Sequence, residues 1–142
     1  MALFDFFRRL AFFKGRDTEG LTAEDLDFDK WIQAHRDWRT RLTNYINGVS
    51  GDPLDEAVIC RDDRCALGQW IHGHGEKFYG DLEKFRDMRN HHAEFHRSAG
   101  KVVHCFKNDG LAAARKLMHN DFDRNSLTVI NDLQALKTTI RG

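Results

Sequence analysis

The chain has 142 residues, of which 41% are hydrophobic and 11% are aromatic, so it has enough apolar surface for one domain with a buried core, and disorder is excluded. The 22 basic and 22 acidic residues cancel, and no run of lysine or arginine exceeds two, so we expect no nucleic-acid partner. No apolar stretch approaches the roughly 20 residues that a membrane-spanning helix needs.

The first 20 residues differ from the rest of the chain. Residues 4–13 are rich in Phe and Leu around two arginines, and residues 15–20 have the composition of a linker. No small-residue cleavage site follows, so we expect no signal peptide and a cytoplasmic protein. We divide the chain into an apolar arm and linker (1–20) and a helical domain (21–142). The arm is expected to pack on the domain or on a second subunit; weak attachment to a membrane surface is the alternative.

Apolar residues at helical spacing predict a first helix that begins near Thr22, in a capping-box sequence, and ends before Gly48. Its buried stripe consists of Phe28, Trp31, His35, Trp38, Leu42 and Tyr45. Residues 50–53, which contain glycine and the single proline, break the chain. Residues 54–80 are predicted to form an irregular connection with helical turns at 54–60 and 65–71, ended by Gly73, Gly75 and Gly80.

Two longer helices are predicted in the second half of the chain. The first covers residues 81–107, and Gly100 inside it indicates the close approach of a neighbouring helix, because glycine there costs about 1 kcal/mol relative to alanine. Residues 108–110 form a turn, and the last helix covers residues 111–140. The fold class is therefore all-α. Three long antiparallel helices and one short segmented helix predict a four-helix bundle.

Histidine and cysteine residues indicate a metal site in this bundle. His92 and His96 are four residues apart on one helix, so both imidazoles share a face. His35 lies on the inner stripe of the first helix, and Cys65 begins a helical turn. Zn²⁺ prefers imidazole and thiolate ligands in a tetrahedron, so we identify these four residues as candidate zinc ligands. Three cysteines cannot all pair with one another, which also favours a ligand or a redox group.

Each candidate ligand also has an ordinary structural interpretation. A buried histidine such as His35 is more often a hydrogen-bonded core residue than a ligand. A histidine pair without the glutamate of the zincin motif is a weak signal, and an isolated Cys65 would more often be a small core residue. Hydrogen-bond acceptors are expected on the outer imidazole nitrogens. The carboxylates available nearby in sequence, among which the sequence does not choose, belong to Asp37, Asp62, Asp63 and Glu94.

Three segments resemble the chemoreceptor zinc-binding (CZB) domain, which occurs with chemoreceptors and diguanylate cyclases in bacterial signalling proteins. Residues 65–70 (Cys-Ala-Leu-Gly-Gln-Trp) resemble its central signature, His35 with Trp38 resembles its first-helix element, and His92 with Phe95 and His96 resembles its paired-histidine helix. The resemblance covers residues 24–140. It implies a zinc site formed by His35, Cys65, His92 and His96.

The resemblance also implies local roles near the cysteine. Gly68 would let the backbone turn tightly, and Trp70 would pack beside the metal, with ordinary core packing as the alternative. Ile71, where the family often has Leu, and the additional Cys60 and Cys105 depart from the pattern. The remaining histidines, with His72 and His74 expected nearest to the metal, are interpreted as solvent-facing or structural: His72, His74, His91, His104 and His119.

The family implies a sensory function. Such a domain would respond to zinc occupancy or to oxidation of Cys65, with hypochlorous acid as the oxidant implicated in chemoreceptor members, and its partner would be a signalling protein of the chemoreceptor or diguanylate cyclase type. We expect a homodimer. The alternative is a purely structural zinc-stabilised module for dimerisation or docking. A zinc hydrolase is the third interpretation, and we expect no enzyme, because four protein ligands leave no open position for water or substrate.

Overall fold

The computed structural model describes residues 26–49, 51 and 53–141, and this part of the chain is all-α, as predicted. The predicted arm, the linker and the Thr22 cap lie outside the described residues. In chain order the helices are α1 (Phe28–Ile46), α2 (Glu56–Ile59), α3 (Ala66–Trp70), α4 (Glu76–Tyr79), α5 (Glu83–Asp109), α6 (Leu111–Leu117) and α7 (Asp123–Arg141). None of these helices combines the length and apolarity that crossing a membrane requires.

The helices form the predicted four-helix bundle. A π-helical turn (Met118–Phe122) joins α6 to α7, so that residues 111–141 make one long helix. This helix packs along α5 and against α1, and the short helices α2 to α4 supply the segmented fourth member. The three long helices and one segmented helix therefore correspond to the architecture that the sequence predicts.

The start of α1 differs from the prediction. The helix begins at Phe28 rather than near Thr22, and Asp27 at its start has non-helical backbone angles (φ −96°, ψ 51°). Leu26 and Phe28 are both buried. Residues two apart on a helix point about 200° apart, so a continuous helix could not bury both side chains on one side. The chain therefore turns at Asp27 before α1 begins.

The segmented stretch confirms two predicted helical turns, now α2 and α3, but it is more helical than predicted. Gly73 and Gly75 do not end it. The chain bends at Gly73 (φ −118°, ψ −108°) and continues as α4 to Tyr79. A β-carbon at Gly75 would lie 2.9 Å from the Phe85 ring, so this glycine lets the stretch lie directly against α5.

Two glycines determine how α5 packs and where it ends. Gly110, with φ +94°, separates α5 from α6, and this left-handed conformation favours glycine. Gly100 lies inside α5, where a β-carbon would be 2.9 Å from that of Cys60. The predicted close approach at Gly100 is therefore confirmed, and the neighbour is the carboxyl end of α2.

The π-helical turn keeps the last helix in register with the core. Buried residues recur every four positions from Ala114 through Met118 and Phe122 to Ser126. In an α-helix of 3.6 residues per turn such a repeat drifts around the surface, and a wider turn absorbs the drift. The fully buried Phe122 ring consequently packs 5.2 Å from that of Phe95 on α5.

Candidate metal centre

The four predicted ligands come together inside the bundle. His35 comes from α1, His92 and His96 from α5, and Cys65 from the residue directly before α3. One nitrogen of each imidazole and the sulfur of Cys65 all lie within 4.8 Å of one another. The three histidines are buried and Cys65 is partly buried. Residues separated by up to 61 positions along the chain therefore form one cluster of potential ligand atoms.

Four of the six distances within this cluster are close to the edges of a zinc tetrahedron, and the other two are at most 4.8 Å. Nε2 of His92 lies 3.1 Å from Nε2 of His35, 3.2 Å from Nε2 of His96 and 3.3 Å from Sγ of Cys65. Sγ of Cys65 lies 3.5 Å from Nε2 of His96. Zinc bonds of about 2.0–2.1 Å to nitrogen and 2.3 Å to sulfur, at tetrahedral angles, give edges of about 3.3–3.6 Å. One ion at the centre would reach these atoms.

Backbone carbonyls orient two of the imidazoles. Nδ1 of His35 donates to the carbonyl of Trp31 at 2.7 Å, and Nδ1 of His96 donates to the carbonyl of Ile59 at 2.9 Å. Because each Nδ1 carries the proton, each Nε2 presents a lone pair to the centre of the cluster. The hydrogen-bonding pattern therefore fixes both rings in the tautomer that a metal ligand requires.

The acceptors expected on the outer imidazole nitrogens are present for His35 and His96, but they are not carboxylates. Two of those nitrogens use backbone carbonyls, and the four carboxylates bind other side chains. The pairs are Asp37 with Gln33, Asp62 with His72, Asp63 with Arg61, and Glu94 with Arg97. The carboxylates lie at or near the surface, where they remain hydrated. A main-chain carbonyl is a neutral acceptor, so its use in the interior avoids the free-energy cost of burying a charge.

The converging lone pairs of the cluster favour a bound cation. His35 and His96 both direct an unprotonated nitrogen toward Nε2 of His92, which can carry at most one proton. Among the described residues, Nδ1 of His92 is buried without a hydrogen-bond partner. Four converging electron-pair donors cannot all be satisfied by the few hydrogens available to them. A divalent cation would satisfy them together, and the imidazole and thiol donor set fits zinc.

Burial sets the charge states of the cluster. It lowers the pKa of His35 to about 4 and also lowers the pKa values of His92 and His96, so all three imidazoles are neutral at pH 7. Burial raises the pKa of the Cys65 thiol to about 11. A bound divalent cation reverses that effect, because it favours the thiolate. With one thiolate and one Zn²⁺ the centre would carry a net charge of about +1.

A tight turn holds Cys65 at the start of α3. The Gly68 N–H donates to Sγ of Cys65 at 3.3 Å, so the sulfur caps the helix as a serine oxygen would. A β-carbon at Gly68 would lie only 1.6 Å from the carbonyl oxygen of Asp62. Gly68 itself is helical, and it lets the loop before Cys65 fold closely onto α3, which agrees with the small residue expected at this position.

The aromatic residue beside the cluster is Phe95 rather than Trp70. The Phe95 ring lies 5.0 Å from that of His35 and 5.2 Å from that of His96, measured between centroids. Trp70 packs instead in an aromatic cluster with Phe28, Trp31, Tyr79 and Phe85. These contacts support the core-packing interpretation of Trp70. Phe95 lies three residues after His92, so helical spacing could have identified it as a wall of the site.

The other histidines do not belong to the ligand group. His72 is the one that reaches the neighbourhood of the site, because Asp62, its partner at 2.9 Å, precedes Cys65 by three residues. Three more exposed histidines pair with carboxylates: His91 with Asp132, His104 with Glu56 and His119 with Asp123. His74 contacts the Phe78 ring. These positions agree with the structural or solvent-facing roles expected for them.

An open cavity of about 270 Å³ reaches the cluster from one side. Cys65 and His96 line it, together with Trp38 from α1 and Val58 and Ile59 from α2. Neither His35 nor His92 is among the lining residues, and both are almost completely buried. Of the four candidate ligands, Cys65 is therefore the one with both a reactive atom and a route to solvent.

The comparison with protein families agrees with this geometry. Residues 35–103 match the chemoreceptor zinc-binding domain, and the matched segment includes all four clustered residues. The match is shorter than the predicted resemblance over residues 24–140, and α7 lies outside it. No curated protein and no solved structure is significantly similar to the chain. Residues 35–103 therefore carry a chemoreceptor zinc-binding (CZB) domain, and the cofactor of this domain is zinc.

Proposed function

We propose that His35, Cys65, His92 and His96 hold one Zn²⁺ and that the domain is a sensory module of bacterial signalling. Its signal would be zinc occupancy, oxidation of Cys65, or both. The observation that carries this proposal is the position of Cys65: it is the one oxidisable side chain in the cluster, and it lines the cavity that opens to solvent. A closed shell of four protein ligands supports regulation rather than catalysis, since it leaves no position for substrate.

Oxidation would change Cys65 as a ligand. Its thiolate attacks hypochlorous acid, which supplies the oxygen and accepts two electrons, so the products are the sulfenic acid and chloride. The sulfenic acid is a poorer ligand than the thiolate. The three imidazoles would then hold the cation without the only anionic ligand, and the affinity for zinc would fall.

The contacts of Cys65 suggest how this change would spread. Sγ accepts the Gly68 N–H at the start of α3, and the Ile59 carbonyl at the end of α2 binds His96. Both ends of the loop between α2 and α3 are therefore tied to the zinc cluster. Release of Cys65 would loosen this loop and α3, and the surface of the segmented stretch would change where a partner protein could detect it.

The same proposal includes the setting of the domain. The family's occurrence in chemoreceptor-type signalling proteins supports a protein partner of the chemoreceptor or diguanylate cyclase type. We further propose a homodimer in the cytoplasm, with no nucleic-acid partner and no stable membrane insertion. The balanced charge of 22 basic and 22 acidic residues supports the absence of a nucleic-acid partner.

Oxidation of the purified full chain tests the proposal. One zinc ion per chain should be released by about one equivalent of hypochlorous acid, with a change in tryptophan fluorescence, because Trp70 lies five residues from Cys65 in the same segment. Cys65→Ala should bind zinc weakly and respond no further to oxidant. Cys60→Ala, which removes an exposed thiol from the same loop, is the control and should respond like the wild type. Unchanged zinc content and fluorescence after oxidation would refute a redox sensor.

The purely structural alternative predicts a different result from the same samples. If zinc only stabilises a docking or dimerisation module, its removal lowers stability in proportion to the binding free energy, without a second defined conformation. A sensor instead reaches a folded, zinc-free state with altered packing of α3. Near-ultraviolet circular dichroism together with the unfolding transition of the oxidised protein distinguishes the two.

A further inference from the structure

The charge around the cavity beside Cys65 is unusual for an opening with mainly apolar walls. Three arginines line it: Arg41 on α1, and Arg61 and Arg64 in the loop before α3. Asp55 is the one acidic residue among its lining residues. The reactive sulfur therefore lies at the end of an opening in which positive groups outnumber negative ones.

The contacts of these arginines leave positive charge at the entrance. Arg61 forms two hydrogen bonds with Asp63, of 3.1 and 2.9 Å, so its charge is largely balanced. The Arg41 guanidinium lies 4.3 Å from the centroid of the Trp38 ring, which forms part of the cavity wall. Arg64 is exposed, and among the residues that the structure describes none forms an ion pair with it. Arg64, the residue next to Cys65, is thus a cation available to an incoming ligand.

The nearby carboxylates are directed elsewhere. Asp55 accepts the Ala57 N–H at 3.0 Å and caps α2, and Asp62 binds His72 at 2.9 Å. Each carboxylate keeps its negative charge, and that of Asp62 helps to raise the pKa of the Cys65 thiol, after the larger effect of burial. With Arg61 paired to Asp63, Arg41 and Arg64 offset these two carboxylates, and the positive balance comes from the zinc-loaded cluster. An anion that enters the cavity would meet the arginines and a cluster whose bound cation outweighs its single thiolate.

We propose that this cavity is an entrance and transient binding site for small monovalent anions, which it brings to the sulfur of Cys65. Positive potential in a cleft with low-dielectric walls raises the local concentration of anions and the rate of their encounter. The biological meaning rests on the proposed function: among oxidants of similar size, the site would favour an anionic one such as hypochlorite over neutral hydrogen peroxide. The binding itself does not depend on that function.

Alkylation with two nearly isosteric reagents measures this selectivity directly. Iodoacetate is an anion and iodoacetamide is neutral. Each transfers its carboxymethyl or carbamidomethyl group to the thiolate, forms one carbon–sulfur bond and releases iodide. The rate at Cys65 of the zinc-loaded chain is followed by peptide mass spectrometry, and the ratio of the two rates is divided by the ratio for N-acetylcysteinamide, a free thiol without a carboxylate. The reactivity of the thiolate cancels in this quotient, whereas attraction of the anion does not.

We expect a quotient above one for Cys65 that decreases as the salt concentration rises. Arg64→Gln should lower it by about two- to fourfold, the effect of one charge at a distance of several ångström in a solvated cleft. Arg124→Gln removes a charge on α7, outside the cavity lining, and should leave the quotient unchanged. Val58→Trp should slow both reagents and leave the quotient in place, because Val58 lines the cavity and is 40% exposed.

Three results would overturn the proposal. The first is a quotient of one for Cys65 of the wild type. The second is a raised quotient that stays the same in Arg64→Gln, provided that this variant keeps its zinc and helix content. The third is a Val58→Trp variant whose alkylation rates equal those of the wild type. Zinc release by hypochlorous acid, measured on the same samples with a chromogenic chelator, separates this proposal from the proposed function. Release without charge selectivity overturns only the anion site. Charge selectivity without zinc release on oxidation supports the site and contradicts the redox sensor.

Discussion

The two sides of the zinc cluster are built differently. His35, His92 and His96 project from the long helices α1 and α5 and are at most 3% exposed. Hydrogen bonds to carbonyls orient two of these rings, and Phe95 packs against them. Cys65 instead caps a five-residue helix in the segmented stretch and faces an open cavity. In the proposed site the helices would thus supply a fixed set of three neutral ligands, and the short stretch would supply the anionic one.

Under the proposed function, this difference would separate holding the metal from reacting to a signal. Packed side chains on long helices change position only at a large cost in free energy, whereas a short capped helix can rearrange locally. A site with a reactive ligand on the rigid side would need the core to open before it could respond. A thiolate on the short stretch would allow a chemical change at one atom to alter the surface while the bundle persists.

The largest effect on zinc affinity is expected from removing a histidine of the cluster. His92→Ala removes the nitrogen that lies within 3.3 Å of three other ligand atoms and leaves a buried cavity. Zinc affinity should fall by more than the roughly 10- to 100-fold typical of losing an outer hydrogen-bond partner of a ligand. His91→Ala, at the neighbouring exposed position, should bind zinc normally. Competition with a chromogenic chelator measures both, and equal affinities would contradict the proposed ligand set.

A smaller but clear effect is expected from a substitution that displaces the turn before α3, which holds Cys65. Gly68→Ala would place a β-carbon 1.6 Å from the Asp62 carbonyl oxygen, so the turn before α3 must move. We expect a loss of about 3 kcal/mol in the free energy of unfolding, together with weaker zinc binding. Gly51→Ala, where a β-carbon meets nothing within 4 Å, is the matched control. Chemical denaturation of both variants gives the comparison, and a Gly68→Ala protein as stable as Gly51→Ala would refute the close contact.

The pH dependence of the zinc-free protein should also come from the histidine side. Burial lowers the pKa of His35 from 6.5 to about 4, so below pH 6.5 the unfolded chain binds a proton that the folded core excludes. Stability therefore falls as the pH drops from 6.5 toward 4, by about 3 kcal/mol for a shift of this size. Thermal unfolding after chelation should show a falling Tm, with a shallower slope for His35→Gln. Identical slopes for the two proteins would contradict the prediction.

The smallest effect is expected at Cys60. Its thiol is exposed and lies outside the ligand group, although its β-carbon packs close to Gly100. Cys60→Ala keeps that carbon, so zinc content should remain at one ion per chain and Tm should shift by at most a few degrees. Metal analysis and calorimetry check this outcome. Loss of zinc from Cys60→Ala would mean that the wrong cysteine has been assigned to the site.

Much of the fold was predictable, because a helix records its buried face in the sequence. The spacing of Phe85, Phe95 and the histidines predicted α5 to within about two residues at each end. The start of α1 was not predictable in the same way, since Thr22 and Asp27 are both favourable caps and only the burial of Leu26 decides between them. The continuation of helix beyond Gly73 depends on packing against Phe85, which local sequence does not reveal.

The cluster was predictable from side chains, but its environment was not. Imidazoles and a thiol have few other roles when they share buried faces, and the segment around Cys65 resembles a known signature. The acceptors for His35 and His96 are main-chain carbonyls, which every residue has and no sequence pattern marks. The cavity joins side chains from α1, α2 and the loop before α3, so only the assembled bundle brings its arginines together.

X-ray absorption at the zinc edge tests the central claim most directly. For the zinc-loaded full chain we predict three nitrogen ligands at about 2.0–2.1 Å and one sulfur at about 2.3 Å. In Cys65→Ala the sulfur contribution should disappear while imidazole scattering remains. A wild-type spectrum without sulfur, or a sulfur contribution that persists in Cys65→Ala, would contradict the proposed three-histidine, one-cysteine site.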